Sequence, residues 1–162
     1  MIKNKIKSLK ELIPIVEKLK SKNKKIVTTN GAFDILHLGH VKYLEQAKKL
    51  GDVLIVGINT DKSVKQYKSK ERPINDEKSR LNVVAALESV DYAFLFNEND
   101  PRKWLGKIKP AIHVKAGGYK LSQIIEKDAV EKNNGKVVLI SMVKGYSTTK
   151  IIKKILSAKL KQ

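Results

Sequence analysis

The chain has 162 residues, of which 41% are hydrophobic and 31% charged, a composition typical of one globular domain with its own core. It contains no cysteine, which excludes disulfides, thiolate metal sites and a cysteine nucleophile. Residues 1–20 carry scattered charges and no apolar signal core, and no segment approaches the roughly 20 apolar residues of a membrane span. We therefore expect a cytoplasmic protein without a membrane partner.

The formal net charge of +18 comes almost entirely from lysine, since only three of the 34 basic residues are arginine. Nucleic-acid binders usually rely on arginine and on interleaved aromatic residues, and neither is clustered here. We interpret the charge as a compositional bias toward lysine and predict no nucleic-acid partner. Arg72 and Arg80 are the exception, because a local use of arginine indicates a need for its planar fork.

Hydrophobic periodicity and turn residues predict strands that alternate with helices along the chain. Ser8 and Glu11 have the spacing of a capping box at the first helix, and Pro14 inside that helix predicts a kink. The alternation predicts one domain over residues 1–162, with a three-layer Rossmann-like α/β fold and a five-stranded parallel sheet. The predicted elements are a helix over 8–20, a strand over 25–29, a helix over 39–49, a strand over 52–58, a long loop over 60–76, a helix over 77–89, a strand over 92–96, a short helix from Pro101 with Asp100 as its N-cap, a strand over 111–115, a helix over 121–133, a strand over 136–140 and a last helix over 147–160.

The most informative segment is NGAFDILHLGH, residues 30–40, between the first strand and the second helix. A turn that leads into a helix start offers free backbone N–H groups and the positive end of the helix dipole, which together favour anions. His37 and His40 add donors that can follow charge as it develops on a phosphoryl group. The segment therefore predicts chemistry on a nucleotide.

Other polar segments should meet this one, because ligands of open α/β sheets bind at the carboxyl ends of the strands. Residues 59–72 offer cations in the long loop, residues 115–119 put a lysine and two glycines after the fourth strand, and residues 144–150 place hydroxyls at a helix start. Each has a plainer explanation as solvated chain, a turn or an N-cap. Two histidines at this spacing could also bind zinc, but His113 lies mid-strand, where a core role is favoured, and the ligand set is incomplete.

The segment over residues 30–40 resembles the signature of the cytidylyltransferase-like nucleotidyltransferase superfamily, with its His-x-Gly-His core. Residues 146–149, Tyr-Ser-Thr-Thr, resemble the second motif of that superfamily. Within it, the chain from about Lys24 onward is most similar to the D-glycero-β-D-manno-heptose 1-phosphate adenylyltransferases, which form ADP-heptose. The matching segments are 59–61, 63–65, Lys68, 72–75, Arg80, 86–91 and 147–155. The chain departs at Gly118, where those enzymes usually have Asp.

The resemblance implies transfer of AMP from ATP to heptose 1-phosphate, with Mg²⁺ as the cofactor and pyrophosphate as the second product. It implies a stand-alone enzyme whose partners are small molecules, and a homodimer. His37 and His40 would be catalytic, and Asp34 would orient the acceptor or the metal. Lys68, Arg72 and Arg80 would join Asp34 in binding the acceptor. Nucleotide binding is expected of Thr29, Asn30, Gly31, Phe33, Gly39, Lys115, Gly117, Ser147, Thr148 and Thr149.

Two alternatives remain open from the sequence. The first is another member of the same superfamily, such as a glycerol-3-phosphate cytidylyltransferase or a different sugar- or polyol-phosphate nucleotidyltransferase. Segment 72–75 and the Ile-Ile-Lys-Lys-Ile ending favour the heptose branch. The second is a non-catalytic binder of nucleotides or nucleic acid that uses the +18 charge. The presence of both histidines and of the Ser147–Thr149 segment argues against it.

Overall fold

The computed structural model describes residues 1–118 and 120–159; Tyr119 and Leu160, which belong to predicted segments, lie outside them. In those ranges one sheet contains the parallel strands β1 Ile26–Gly31, β2 Val53–Asn59, β3 Tyr92–Phe96, β4 Ile112–Ala116 and β5 Lys136–Ile140. The helices are α1 Ile2–Lys5, α2 Leu9–Ser21, α3 Leu38–Lys48, α4 Asp61–Tyr67, α5 Glu77–Ala85, α6 Arg102–Ile108, α7 Lys127–Glu131 and α8 Thr148–Lys159, with a 3₁₀ turn at Leu121–Gln123.

The strands lie in the order β3-β2-β1-β4-β5, and every pairing is parallel. The predicted Rossmann-like architecture with five parallel strands is confirmed. The order reverses between β1 and β4, so the chain leaves these two neighbouring strands in different directions. A crevice opens at such a switch point, at the carboxyl ends of the strands.

Two hydrophobic cores cover the two faces of the sheet. One contains α3 and α5, with Leu44 and Val84 packed against β1, β2 and β4. The other contains α2, α6 and α7, with Leu12 and Trp104 packed against the opposite face. Successive residues of β2, such as Leu54 and Ile55, alternate between the cores, as the pleat of a strand buried on both faces requires.

The capping predictions hold at α2 and shift by one residue at α6. Ser8 and Glu11 form a reciprocal capping box, and α2 runs through Pro14 to Ser21. At α6 the N-cap is Pro101, and Asp100 caps from one position further out by accepting from the Arg102 N–H at 2.9 Å.

The predicted loop over residues 60–76 is partly wrong, because its first half forms α4. Thr60 caps this helix by accepting from the Ser63 N–H, and Val64 is fully buried, so two local signals outweigh the lysines around them. The predicted helix over 121–133 is also wrong in part: it divides into the 3₁₀ turn and the short α7, with an extended residue at Ile124. Within the described ranges, no helix has both the length and the apolar character needed to cross a bilayer.

Arg80 has a structural task instead of the predicted contact with the acceptor. Its side chain is fully buried, and it donates to the carbonyl oxygens of Ala32, Asn59 and Asn75 and to the Asp61 carboxylate. These acceptors lie just after β1, at the end of β2, before α5 and at the start of α4. Because the guanidinium is committed to them, it does not face the ligand cavity.

Replacing Arg80 by Leu should lower the free energy of unfolding by about 3 kcal/mol, because the buried acceptors lose their donors. Arg102→Leu is the matched control, since Arg102 pairs with Asp100 at the surface and its side chain is 55% exposed. That substitution should stay within about 0.5 kcal/mol. Urea denaturation of the three proteins measures both values, and equal losses for the two variants would contradict the structural task assigned to Arg80.

Candidate active site

A cavity of about 620 Å³ lies at the carboxyl ends of β1 and β4. Its walls come from the segment between β1 and α3, the region of α4 and the loop after it, the end of β4 and the start of α8. The predicted site residues that line it are Asn30, Gly31, Phe33, Asp34, His37, Gly39, His40, Lys68, Arg72, Lys115, Ser147, Thr148 and Thr149. Segments distant in sequence thus meet at one place, as the switch-point argument predicts.

Besides Arg80, which is predicted to bind the acceptor, two predicted nucleotide-binding residues do not line the cavity. Thr29 is fully buried, and its hydroxyl lies 2.6 Å from the Tyr43 hydroxyl and donates to the Val114 carbonyl at 2.9 Å. Gly117 turns toward β5, where its N–H donates to the Ile140 carbonyl. A β-carbon at Gly117 would lie 3.1 Å from that oxygen, so close approach of two backbones explains the glycine.

The two histidines of the first motif stack on each other at the floor of the cavity. Their ring centroids are 3.8 Å apart, and the rings are nearly parallel at 19°. Gly39 allows this arrangement, because a β-carbon there would lie 3.0 Å from the His37 ring and 3.2 Å from Tyr146. Among the described residues neither Nδ1 atom has a hydrogen-bond partner, although both are buried, and unsatisfied buried polar atoms of this kind are typical of functional sites.

Both imidazoles favour the neutral state in the ligand-free protein. Burial, followed by the nearby His37 and Lys68, lowers the pKa of His40 to about 4. Burial also lowers the pKa of His37. A bound phosphate would oppose this shift and raise both pKa values, since a negative charge close to an imidazole favours its protonated form.

Asp34 anchors the loop that leads to α5. Its carboxylate accepts from the backbone N–H groups of Ile74 and Asn75 at 2.8 and 3.0 Å and from Arg72 Nε at 2.5 Å. Burial by itself would raise the pKa of Asp34, but these hydrogen bonds and the charge of Arg72 lower it below its ordinary value. The side chain is 1% exposed, so Asp34 holds Arg72 in place rather than presenting free oxygens to a metal.

Arg72 and Lys68 form the cationic side of the cavity. Arg72 Nη2 is buried and has no hydrogen-bond partner among the described residues, while Nε is fixed by Asp34. Burial, followed by the positive charge of Arg72, lowers the pKa of the half-buried Lys68. Two neighbouring cations, of which Arg72 keeps Nη2 without a partner, are suited to binding a doubly charged phosphate.

The start of α8 closes another side of the cavity. Ser147 acts as the N-cap, because its hydroxyl accepts from the Lys150 N–H at 3.2 Å. Thr148 donates to the Ile35 carbonyl at 3.4 Å, which joins α8 to the first motif. The plain capping explanation is therefore correct for Ser147, and it is compatible with anion binding because a capped helix start keeps further N–H groups free.

Gly118, the departure from the heptose enzymes, has a backbone reason to be glycine here. Its φ is +112°, a conformation that residues with a β-carbon rarely adopt. Among the described residues other than its chain neighbours, no heavy atom lies within 4 Å of the position that a β-carbon would take. The backbone conformation of the loop thus favours Gly over Asp at this position.

The remaining wall residues are not among the predicted site residues. Ala32, Asn59, Tyr67, Ala116 and Tyr146 belong to polar segments that are expected at the site, although the predicted set of site residues omits them. Tyr43 and Glu126 lie in predicted helices, and only tertiary placement identifies them. The residues in question are Ala32, Tyr43, Asn59, Tyr67, Asn99, Pro101, Ala116, Ile125, Glu126, Met142, Val143 and Tyr146.

The donor set does not form a dedicated metal cage. In the part of the chain that the structure describes, no group of three or more His, Asp or Glu side chains is arranged to bind a metal. His113, the third histidine, is fully buried and pairs with the Thr28 hydroxyl at 2.9 Å, as a core residue does.

His40 should make the free protein acid-sensitive. Its folded pKa of about 4 lies below the ordinary value of 6.5, so the unfolded chain binds the proton first and stability falls as the pH drops through this interval. We expect the free energy of unfolding to fall less between pH 7 and pH 4.5 in His40→Asn than in the unchanged chain. Urea denaturation at both pH values measures this, and an equal fall in the two proteins would contradict it.

Comparison with known proteins agrees with this geometry. The model of the cytidylyltransferase-like family matches residues 28–154. The bifunctional protein HldE of Geobacter metallireducens is 49% identical over 154 residues, which are 95% of this chain and 31% of that protein. HldE of Actinobacillus pleuropneumoniae serotype 5b is 50% identical over 149 residues, with 92% and 31% covered. The chain therefore spans about a third of the length of these relatives.

Two solved structures are also similar to this chain in fold. A lipopolysaccharide core biosynthesis protein from Thermoplasma volcanium GSS1 superposes with a TM-score of 0.63 at 35% identity, covering 76% of this chain and 99% of that one. A pantoate-beta-alanine ligase from Francisella tularensis, with a TM-score of 0.64 at 20% identity over 97% of this chain and 79% of that one, shares the fold. The signature over residues 30–40, the cavity at the switch point and the family match together identify the chain as a nucleotidyltransferase of the cytidylyltransferase-like family.

Proposed function

We propose that the chain transfers AMP from ATP to D-glycero-β-D-manno-heptose 1-phosphate, giving ADP-heptose and pyrophosphate. The observation that carries the proposal is the meeting of the stacked His37–His40 pair with Lys68 and Arg72 in one cavity. The similarity to HldE proteins and to a lipopolysaccharide core biosynthesis protein favours a heptose as the acceptor.

The reaction needs positioning and charge stabilisation more than covalent catalysis. An oxygen of the sugar phosphate attacks the α-phosphorus in line, a new P–O bond forms, and the bond to pyrophosphate breaks. His37 and His40 donate to the triphosphate and stabilise the charge that develops at the α-phosphate. The N–H groups at the start of α8 bind the phosphates that leave, and Arg72 and Lys68 neutralise the phosphate of the acceptor.

Mg²⁺ is part of this proposal and would reach the site with the triphosphate. When bound, the ion neutralises phosphate charge and helps to orient the leaving group. Mg²⁺ commonly keeps several waters and takes substrate phosphates as ligands, so it does not need a cage of side chains. Asp34 is a weak candidate for a ligand, because three donors already use its oxygens. The homodimer and the cytoplasmic location likewise remain proposals.

His40→Ala should lower turnover by about 10²–10³-fold, because it removes a donor that stabilises the transition state. Lys42→Ala is the matched control on the same helix, since the Lys42 side chain is half-exposed and pairs only with Glu45 among the described residues. Pyrophosphate release measures turnover, and circular dichroism checks folding. Near-normal turnover in a folded His40→Ala protein would overturn the proposed role.

The substrate assignment is tested by crossing ATP and CTP with heptose 1-phosphate and glycerol 3-phosphate in the presence of Mg²⁺. We expect pyrophosphate release only with ATP and heptose 1-phosphate. Turnover with CTP and glycerol 3-phosphate would assign the chain to the cytidylyltransferase alternative. Retention of duplex DNA at physiological salt without any turnover would favour a non-catalytic binder, whose affinity falls steeply as salt rises.

A further inference from the structure

An ion pair formed by Lys115 and Glu126 lies in the wall of the cavity. Lys115 Nζ, at the end of β4, lies 2.5 Å from Glu126 Oε1, next to the start of α7. The Glu126 side chain is 4% exposed and that of Lys115 is 21% exposed. Both residues line the cavity. The reaction as derived above gives Glu126 no task.

A buried histidine lies behind the pair and leaves Lys115 as the source of positive charge. His113 Nε2 is 3.7 Å from the same Glu126 oxygen, and its Nδ1 is engaged by the Thr28 hydroxyl. Burial lowers the pKa of His113, so this imidazole is neutral at pH 7. The negative charge of Glu126 is therefore balanced by the ammonium group of Lys115.

Glu126 is ionised in this setting. Burial by itself would raise its pKa, but the neighbouring His113 and the charge of Lys115 together bring the pKa down to about 2. A buried carboxylate that is charged at every working pH needs its cation, because separating the two leaves an uncompensated charge. The contact accordingly fixes the ammonium end of Lys115, whose side chain has four rotatable bonds.

The fixed ammonium keeps donors for a ligand. An ammonium group has three N–H donors. The contact with Glu126 is an ion pair without hydrogen-bond geometry, since Glu126 Oε1 has no hydrogen-bond partner among the described residues, so the contact commits none of these donors. Lys115 thus resembles Arg72, which is also paired with a carboxylate and keeps a buried nitrogen without a partner. In both cases a carboxylate orders a cation before the ligand arrives, which reduces the entropy lost on binding.

We propose that Glu126 is a positioning residue that holds the Lys115 ammonium toward the phosphates of the bound nucleotide. The inference rests on the proposed function only in that a nucleoside triphosphate occupies the cavity. It assigns to a residue outside the recognised motifs a part in nucleotide affinity. It also explains why a carboxylate is buried in the wall of a site that binds anions.

The test is a double-mutant cycle on ATP affinity, measured by equilibrium dialysis of labelled ATP with Mg²⁺ and no acceptor. We expect Glu126→Gln to weaken binding about tenfold, a change within the range of coupling energies between contacting residues. In a Lys115→Met background the same substitution should not weaken binding further, because the carboxylate then has no ammonium to hold and its unpaired charge opposes the phosphates. Glu131→Gln is the control, because Glu131 is an exposed residue of α7 with a long contact to Lys127.

Three results would overturn the inference. Tighter ATP binding by Glu126→Gln would mean that the carboxylate masks Lys115, and unchanged binding would mean that it only supports the fold. Additive losses in the double variant would mean that Glu126 acts without Lys115. If Glu126→Gln does not fold, Glu126→Asp replaces it in the test. Aspartate keeps the negative charge but has one methylene less, so its carboxylate lies farther from Lys115. We expect Glu126→Asp to weaken ATP binding less than the tenfold expected of Glu126→Gln. An unchanged chain that binds neither ATP nor CTP would overturn the proposed function as well.

Discussion

The site depends on one buried guanidinium. Arg80 donates to carbonyl oxygens that follow β1, end β2 and precede α5, and it also pairs with Asp61 in α4. A parallel sheet leaves such carbonyl groups unpaired where its strands end, and burying them without donors is costly. By donating to these oxygens, Arg80 fixes the first motif relative to α4 and the loop that follows it, and these segments form walls of the cavity.

Two cations that line the cavity are paired with almost fully buried carboxylates. Asp34 holds Arg72, and Glu126 is paired with Lys115. The pKa values of His37 and His40 are both lowered, so the two imidazoles are neutral at pH 7 and add no charge to the cations Lys68 and Arg72. A site that binds phosphate groups needs donors that are in place beforehand, and this arrangement provides them without two further cations.

The sequence predicts the parts of this account that depend on local patterns. The periodicity of strands and helices is sufficient to predict the five parallel strands, and the first motif identifies the two histidines of the site. The sequence does not distinguish an arginine that binds a substrate from one that binds backbone carbonyl groups, and for this reason the predicted acceptor contact of Arg80 is wrong. The sequence also gives no signal for Glu126, because the break at Ile124 interrupts the predicted helix and only the packing against His113 and Lys115 reveals why a carboxylate lies there.

The most direct test follows the oxygen that forms the new bond. Heptose 1-phosphate labelled with ¹⁸O in its phosphate is incubated with ATP and Mg²⁺, and the products are separated and analysed by mass spectrometry. Attack by the sugar phosphate on the α-phosphorus predicts that all of the label stays in ADP-heptose and that pyrophosphate carries none. Label in pyrophosphate, or consumption of ATP without a labelled nucleotide sugar, would contradict the account.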